Sequence, residues 1–247
     1  MTSAEADANP PRMASRPRRS LPVRILGWIV KTILLFLIVS ILWVLLYRFV
    51  NPLFTFTQLG DRIGGAGVRS EWMAIGRIDR DMVRAAIAGE DGKFCSHAGF
   101  DREAIEAAMR RNAAGGRVIR GGSTISQQTA KNAFLWQSGG WFRKGLEAWF
   151  TVLVETLWSK RRIMEVYLNV AETGIGTYGV NAGAWRYFGH DASQLTPQEA
   201  ARIIAVFPLP KRRAAISPRG FTRRYGNMIM ARMRVVGRDG LDGCVYR

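Results

Sequence analysis

The sequence predicts a mainly α-helical domain carried behind one N-terminal transmembrane helix. Three observations predict it. A 23-residue apolar run begins at Ile25. Apolar side chains then recur at spacings of three and four, with little of the strict alternation that marks strands. Several segments also open on helix-capping residues, the clearest being Thr196-Pro197-Gln198-Glu199.

Residues 1–24 are rich in Pro, Arg and Ala and are expected to be a disordered basic tail. They hold five Arg against Glu5 and Asp7, a net of +3 from a total of +17, so +14 lies beyond them. Such an excess implies an anionic partner: nucleic acid, phospholipid headgroups or a phosphorylated substrate. Residues 25–47 read as the anchor. Thr32 to Tyr47 carries no charge, and Lys31 alone interrupts the longer run, where its stem can snorkel toward headgroups. The length suffices to cross a bilayer core, with Trp28 at one end and Trp43 and Tyr47 at the other suited to its interfaces. A cleaved signal peptide is the rival, but its apolar region is shorter and ends in small residues; here Tyr47-Arg48-Phe49 follows. The Arg-rich tail then stays in the cytoplasm and places residues 48–247 on the outer side. That location argues against nucleic acid as the partner.

The remaining 190 to 200 or so residues can bury one substantial core. Residues 50–80 read as a connector around Gly64-Gly65-Ala66-Gly67. Asp81 is placed to cap a helix running to Glu90, and Asp101 another ending near Gly115-Gly116. Thr124-Ile125-Ser126-Gln127 fits a capping box. From Trp141 to about Val170 the apolar spacing predicts one long helix, and Ala200 to Val206 a last one stopped by Pro208 and Pro210. Cys95 and Cys244 leave two readings open, a disulfide or two thiols. The only histidines, His97 and His190, lack ligand-spaced neighbours, so no protein metal site is expected.

Four clusters carry chemistry. Glu90 ends an apolar helix segment and is followed by Asp91, Phe94 and His97; a carboxylate there can serve as general base or acid. Gly121-Gly122-Ser123-Thr124 opens a helix whose N-terminus attracts anions, and Gln127, Gln128 and Lys131 add two amides and a cation. The spacing is not that of a nucleotide-binding phosphate loop. Arg143, Lys144 and Glu147 share one helix face. Lys160-Arg161-Arg162 precedes an apolar stripe that ends on Asn169. Taken singly, each cluster also reads as an ordinary surface or capping pattern.

Together, in this order, they closely resemble the peptidoglycan glycosyltransferase family. Its members are the glycosyltransferase domains of bifunctional penicillin-binding proteins and the monofunctional transglycosylases. The matching residues are Glu90-Asp91-x-x-Phe94-x-x-His97-x-Gly99, Gly122-Ser123-Thr124-Ile125-x-Gln127-Gln128, Arg143-Lys144-x-x-Glu147 and Lys160-x-x-Ile163-x-Glu165-x-Tyr167-Leu168-Asn169. The resemblance covers roughly residues 70–220. With the chain ending at Arg247, it points to the monofunctional type.

The resemblance implies a lysozyme-like domain with a smaller membrane-proximal lobe. The implied reaction polymerises lipid II into glycan strands at the inner membrane, with the catalytic domain periplasmic. Glu90 and Glu147 are the implied catalytic pair: Glu90 as base on the acceptor 4-hydroxyl, Glu147 assisting diphosphate departure. Asp91, Phe94, His97, Ser123, Thr124, Gln127, Gln128, Lys131, Arg143, Lys144, Lys160 and Asn169 are the implied substrate-binding set. No firm cofactor is implied; a magnesium or manganese ion at the diphosphate is the one candidate. Besides lipid II, the nascent glycan and the membrane, candidate partners are division proteins and other cell-wall synthases. Relatives often carry a further basic residue where this chain has Ser138-Gly139-Gly140. Two rivals stand beside this reading: a lysozyme-type glycan hydrolase, which needs no cations around its second carboxylate, and a non-catalytic scaffold.

Overall fold

Side-chain caps set most helix starts in this protein, and helix packing then sets where their ends meet. The computed structural model describes residues 21–115 and 122–246. The basic tail up to Ser20, Gly116 at the expected end of the second helix, and Gly121 of the glycine-rich turn lie outside the described residues.

The chain divides after Ser40. Helix α1 (Leu21–Phe49) is 29 residues long, begins before the expected 25 and ends after 47, and is apolar enough to cross a membrane. Among the residues beyond the division, Trp43, Val44 and Tyr47 join the core, and the Trp158 indole donates to the Val44 carbonyl at 2.9 Å.

The expected connector holds α2 (Phe56–Ile63), closed by a capping box between Thr55 and Gln58, and the two-residue strand β1 (Arg69–Ser70). Helix α3 (Arg80–Glu90) is capped by Asp79, whose carboxylate accepts from the Asp81 amide at 2.8 Å; the expected cap, Asp81, lies in the first turn instead. Asp101 caps α4 (Arg102–Ala113), and the Thr124–Gln127 capping box opens α5 (Ile125–Phe134) as the spacing predicts.

The single helix expected over 141–170 is two. Helix α6 (Trp141–Leu157) stops at Trp158, and Ser159 caps α7 (Lys160–Val170) by accepting from the Arg162 amide at 3.2 Å. The apolar spacing continues through the break because both helices bury their stripes in one core, so periodicity alone does not reveal it. Strands β2 (Glu172–Gly174) and β3 (Thr177–Tyr178) form a small sheet with β1 in the order β1-β3-β2, parallel between β1 and β3 and antiparallel between β3 and β2.

Helix α8 (Val180–Phe188) follows; α9 (Pro197–Val206) starts on the predicted Thr196–Glu199 box and ends before Pro208. The sequence pattern named no element for α8, for α10 (Gly220–Arg238) or for the short α11 (Gly243–Tyr246). Buried Thr222, Gly226, Ile229, Met233 and Val236, spaced four, three, four and three, explain why α10 forms.

Two helix groups result. Helix α3 packs on α9 and α10, and α5 packs on α6 and α7. Met82, Ile87, Ile203 and Ile204 fill the first group; Phe134, Ile125, Ile163 and Leu168 fill the second, with Phe134 and Phe150 stacked at 4.8 Å. The described residues beyond Ser40 share one main core, with Phe94 and Tyr167 among its largest buried members, and a small second cluster of Tyr187, Val206 and Ala215.

Asn169 is part of this frame. Its side-chain oxygen accepts from the Met73 amide at 2.8 Å, and its amide donates to the Met73 carbonyl at 2.9 Å. Gly179 (φ +84°) lies against it: an added Cβ would sit 2.8 Å from the Asn169 carbonyl oxygen. Replacing Asn169 by Ala leaves two buried main-chain groups unpaired and is expected to cost about 1–3 kcal/mol. Denaturant unfolding checks this; an unchanged midpoint would remove the clamp from the account.

Candidate active site

A cleft of about 390 Å³ opens between the two helix groups. From the α3 side it receives Gly89 and Glu90; from α5 and the turn before it, Ser123, Gln127, Gln128 and Lys131; from α6, Arg143, Lys144 and Glu147. Phe207 and Pro208, just after α9, and Tyr225 on α10 complete it.

Glu90 reaches this cleft because α3 approaches its neighbours without a side chain at the preceding residue. A Cβ at Gly89 would lie 2.6 Å from Ile204 Cγ2 and 3.1 Å from Ile229 Cδ1. The Tyr225 hydroxyl donates to the Gly89 carbonyl at 2.8 Å. Glu90 Oε2 accepts from the Gln128 amide at 3.0 Å, while Oε1 is buried with no hydrogen-bond partner among the described residues. Burial pushes this carboxyl above the ordinary range and the nearby Asp91 charge adds to it; Gln128, Lys131 and Arg213 pull the other way without cancelling the shift.

The opposite wall is cationic. Glu147, only 3% exposed, is gripped through one oxygen by Arg143 at 2.8 Å and through the other by Lys144. Lys131 stands apart, with no hydrogen-bond or ion-pair partner among the described residues. Burial lowers the pKa of its ammonium, Arg143 and Lys144 reinforce this, and Glu147 and Glu90 oppose it. A desolvated cation without a fixed counter-ion is suited to an anionic ligand. A divalent ion held by protein fits this donor set poorly. Both Glu147 oxygens are taken by cations, and among the described residues no three His, Cys, Asp or Glu gather.

Six of the residues implied by the resemblance do not line the cleft; they hold its walls together. Asp91 accepts from the Ile125 amide at the start of α5 at 3.0 Å, and from His97 Nε2 at 2.9 Å. His97 Nδ1 accepts from the Gly99 amide at 3.1 Å, so Nε2 carries the proton. The Thr124 hydroxyl donates to the Gly99 carbonyl at 2.6 Å. Lys160 donates to the His97 carbonyl and to Glu155, both at 2.7 Å, and lies 4.6 Å from the centroid of the buried Phe94 ring. Asn169 is bound to Met73, as described above.

The departure at Ser138-Gly139-Gly140 has a backbone reason. Gly139 has φ +130°, and a Cβ there would meet Trp136 Nε1 at 3.0 Å and Arg143 Cβ at 3.1 Å. A side chain at Gly139 is strained in this turn, whereas a Cβ at Gly140 would meet nothing within 4 Å.

The sequence reading missed Gly89, Phe207, Pro208 and Tyr225. Only Gly89 left a signal, as a glycine inside a capped helix immediately before the candidate base. A second cleft of about 410 Å³, lined by Asn132, Glu172, Lys211 and Arg212 among others, shares Gln128, Lys131, Phe207 and Pro208 with the first. Burial raises the Glu172 carboxyl to about 7. Replacing Gly89 by Ala is expected to destabilise the protein by about 1–3 kcal/mol through overpacking against Ile204. Thermal unfolding together with side-chain geometry at Glu90 checks it; unchanged stability would mean that α3 has room to spare.

With this geometry in hand, comparison with known proteins is informative. A family model described as Transglycosylase matches residues 57–234. A biosynthetic peptidoglycan transglycosylase of Caulobacter vibrioides is 48% identical over 202 residues, covering 82% of this chain and 88% of the relative. One from Xanthomonas campestris pv. campestris is 44% identical over 243 residues, covering 96% and 95%. Another, from Rhodospirillum centenum, is 48% identical over 182 residues, covering 74% and 78%. Matches of this extent, spanning both helix groups and the cleft between them, show that the chain belongs to the transglycosylase family.

Proposed function

We propose that this protein is a peptidoglycan glycosyltransferase that polymerises lipid II, the undecaprenyl-diphosphate-linked GlcNAc-MurNAc-pentapeptide, into glycan strands. The observation that carries this reading is the pairing in one cleft of Glu90, one of whose carboxylate oxygens is buried and unsatisfied, with Lys131, a half-buried cation that has no ion-pair partner among the described residues. Polymerisation needs both: a base for the attacking hydroxyl and fixed positive charge for a departing diphosphate.

In the proposed step Glu90 takes the proton of the acceptor GlcNAc 4-hydroxyl. The freed oxygen attacks the anomeric carbon of the donor MurNAc from the face opposite the diphosphate. The new carbon–oxygen bond forms as the bond to the diphosphate breaks, and the leaving oxygen keeps the electron pair. Lys131, Arg143 and Lys144 stabilise that developing charge, with Glu147 fixing the last two in place. Diphosphate is a good leaving group and needs no strong proton donor. The adjoining cleft beyond Gln128 and Lys131 gives a two-substrate reaction its second compartment.

The relatives named as biosynthetic peptidoglycan transglycosylases support the substrate class. The candidate span α1 supports an enzyme anchored at the membrane where a lipid-linked substrate resides. The bond between Cys95 and Cys244 supports a periplasmic domain, because such bonds persist in oxidising compartments. A hydrolase would not need the three cations.

The test is detergent-solubilised protein with labelled lipid II and separation of the products by gel. Wild type is expected to give polymer that a muramidase digests. Glu90→Gln should lower the rate at least about a hundredfold, and Lys131→Met on the order of a hundredfold. Because burial holds the folded-state pKa of Glu90 above that of an unfolded glutamate, its ionisation disfavours the fold as pH rises through that value. The neutral amide removes this cost, so Glu90→Gln should melt no lower than wild type at neutral pH. Polymer formation by Glu90→Gln at more than about a tenth of the wild-type rate would sink its role as base. Shortening of pre-formed glycan without polymer would favour the hydrolase.

A further inference from the structure

The bond between Cys95 and Cys244 closes a stretch of 149 residues and lands four positions beyond Asp91, in the loop that follows the candidate base. Its other end belongs to a C-terminal segment docked on the same helix that presents Glu90. Asp242, fully buried, accepts from Arg80 Nε at 2.8 Å, Arg80 Nη2 at 2.9 Å and Arg84 Nε at 3.0 Å. Arg80 and Arg84 occupy the first two turns of α3. The Arg80 guanidinium also lies 4.6 Å from the centroid of the Tyr246 ring, and Arg161 at the start of α7 donates to the Val245 carbonyl at 2.9 Å. Val245 itself is fully buried in the main core. The segment therefore holds α3 near its start by an ion-paired hub, and holds the loop beyond its end by a covalent bond.

We propose that residues 239–246 form a clamp that positions Glu90, with Asp242, Cys95 and Cys244 as positioning residues for glycosyl transfer. The inference rests on the reading of Glu90 as the base. The loop 91–99 is tied on its inner side by Asp91, by Thr124 to Gly99, and by Lys160 to His97. On its other side the disulfide is its covalent tie. Opening the bond removes the covalent tie and leaves that side with the exposed Lys93–Glu103 pair and the buried Phe94, while the buried contacts of α3 with α9 and α10 stay in place. Geometry at the reacting atoms is then degraded without loss of the fold, and rate is more sensitive than binding to such displacement.

The test uses the full chain in detergent, oxidised and after treatment with a dithiol. The dithiol donates two electrons and two protons to the bond, leaving two protein thiols and its own cyclic disulfide. Amide hydrogen exchange and lipid II polymerisation are measured on both forms below the unfolding temperature, alongside Cys95→Ala/Cys244→Ala and Asp242→Asn. The clamp predicts faster exchange confined to residues 91–99 and the adjoining end of α3. It also predicts a kcat lowered on the order of tenfold with KM changed less than about twofold. Asp242→Asn should lower kcat with the disulfide still formed. Unchanged kcat with unchanged loop exchange overturns the proposal. So does a loss of activity accompanied by faster exchange throughout the domain, which would mark the bond as a general staple. Should the double variant fail to fold, the reduced wild type supplies the same comparison. If wild type makes no polymer, the proposed function fails, and the confined change in loop exchange still decides whether the clamp exists.

Discussion

The buried carboxylate of Asp91 is the constraint on which the rest of this site depends. It sits at the end of α3, directly after the candidate base, and reaches across to the first amide of α5. One negative charge thereby answers an open helix N-terminus and the His97 ring together. The bond fixes the register between the wall that carries Glu90 and the wall that carries Gln128 and Lys131. Thr124 to Gly99 and Lys160 to the His97 carbonyl make the same crossing twice more. The first and second sequence motifs are therefore largely a hinge-free joint between two helix groups, and the cleft is the space that the joint leaves open.

The charges that face the cleft are held in three different ways, and the difference matters for chemistry. Glu147 is saturated by Arg143 and Lys144, so its burial is compensated and it serves to hold two cations in fixed positions. Lys131 is half-buried with no hydrogen-bond or ion-pair partner among the described residues, and Glu90 is satisfied through only one of its oxygens. Unpaired buried polar groups cost stability. In the proposed reaction these two are the base and a cation, the pair that a transfer with an anionic leaving group requires.

Much of this was legible in the sequence where the physics is local. The capping boxes at Thr124 and Thr196 form as their spacing predicts, because both partners lie within one turn. Arg143, Lys144 and Glu147 meet for the same reason. Tertiary facts were less readable. The break at Trp158–Ser159 is hidden by a continuous apolar stripe, and Asp79 displaces Asp81 as a cap by two positions. The bond between Cys95 and Cys244 joins residues that nothing in the spacing relates, and Tyr225 reaches Gly89 from an element that the pattern did not name. The ordered motifs converge on one cleft, which is the candidate site. Their spacing could not separate residues that line the cleft, such as Ser123 and Gln128, from residues that frame it, such as Asp91 and Asn169.

The pH dependence of kcat/KM for glycan formation tests the central claim most directly, because it reads the protonation of the base in the free enzyme. Burial raises the Glu90 carboxyl above the ordinary glutamate value of 4.5. The account therefore predicts an acidic limb whose midpoint lies above that value, with the rate rising as pH passes through it and Glu90 loses its proton. The limb should move when Gln128, which holds Oε2, is replaced by Leu. A midpoint at or below 4.5, or a limb indifferent to Gln128, would contradict the assignment of this buried carboxylate as the base.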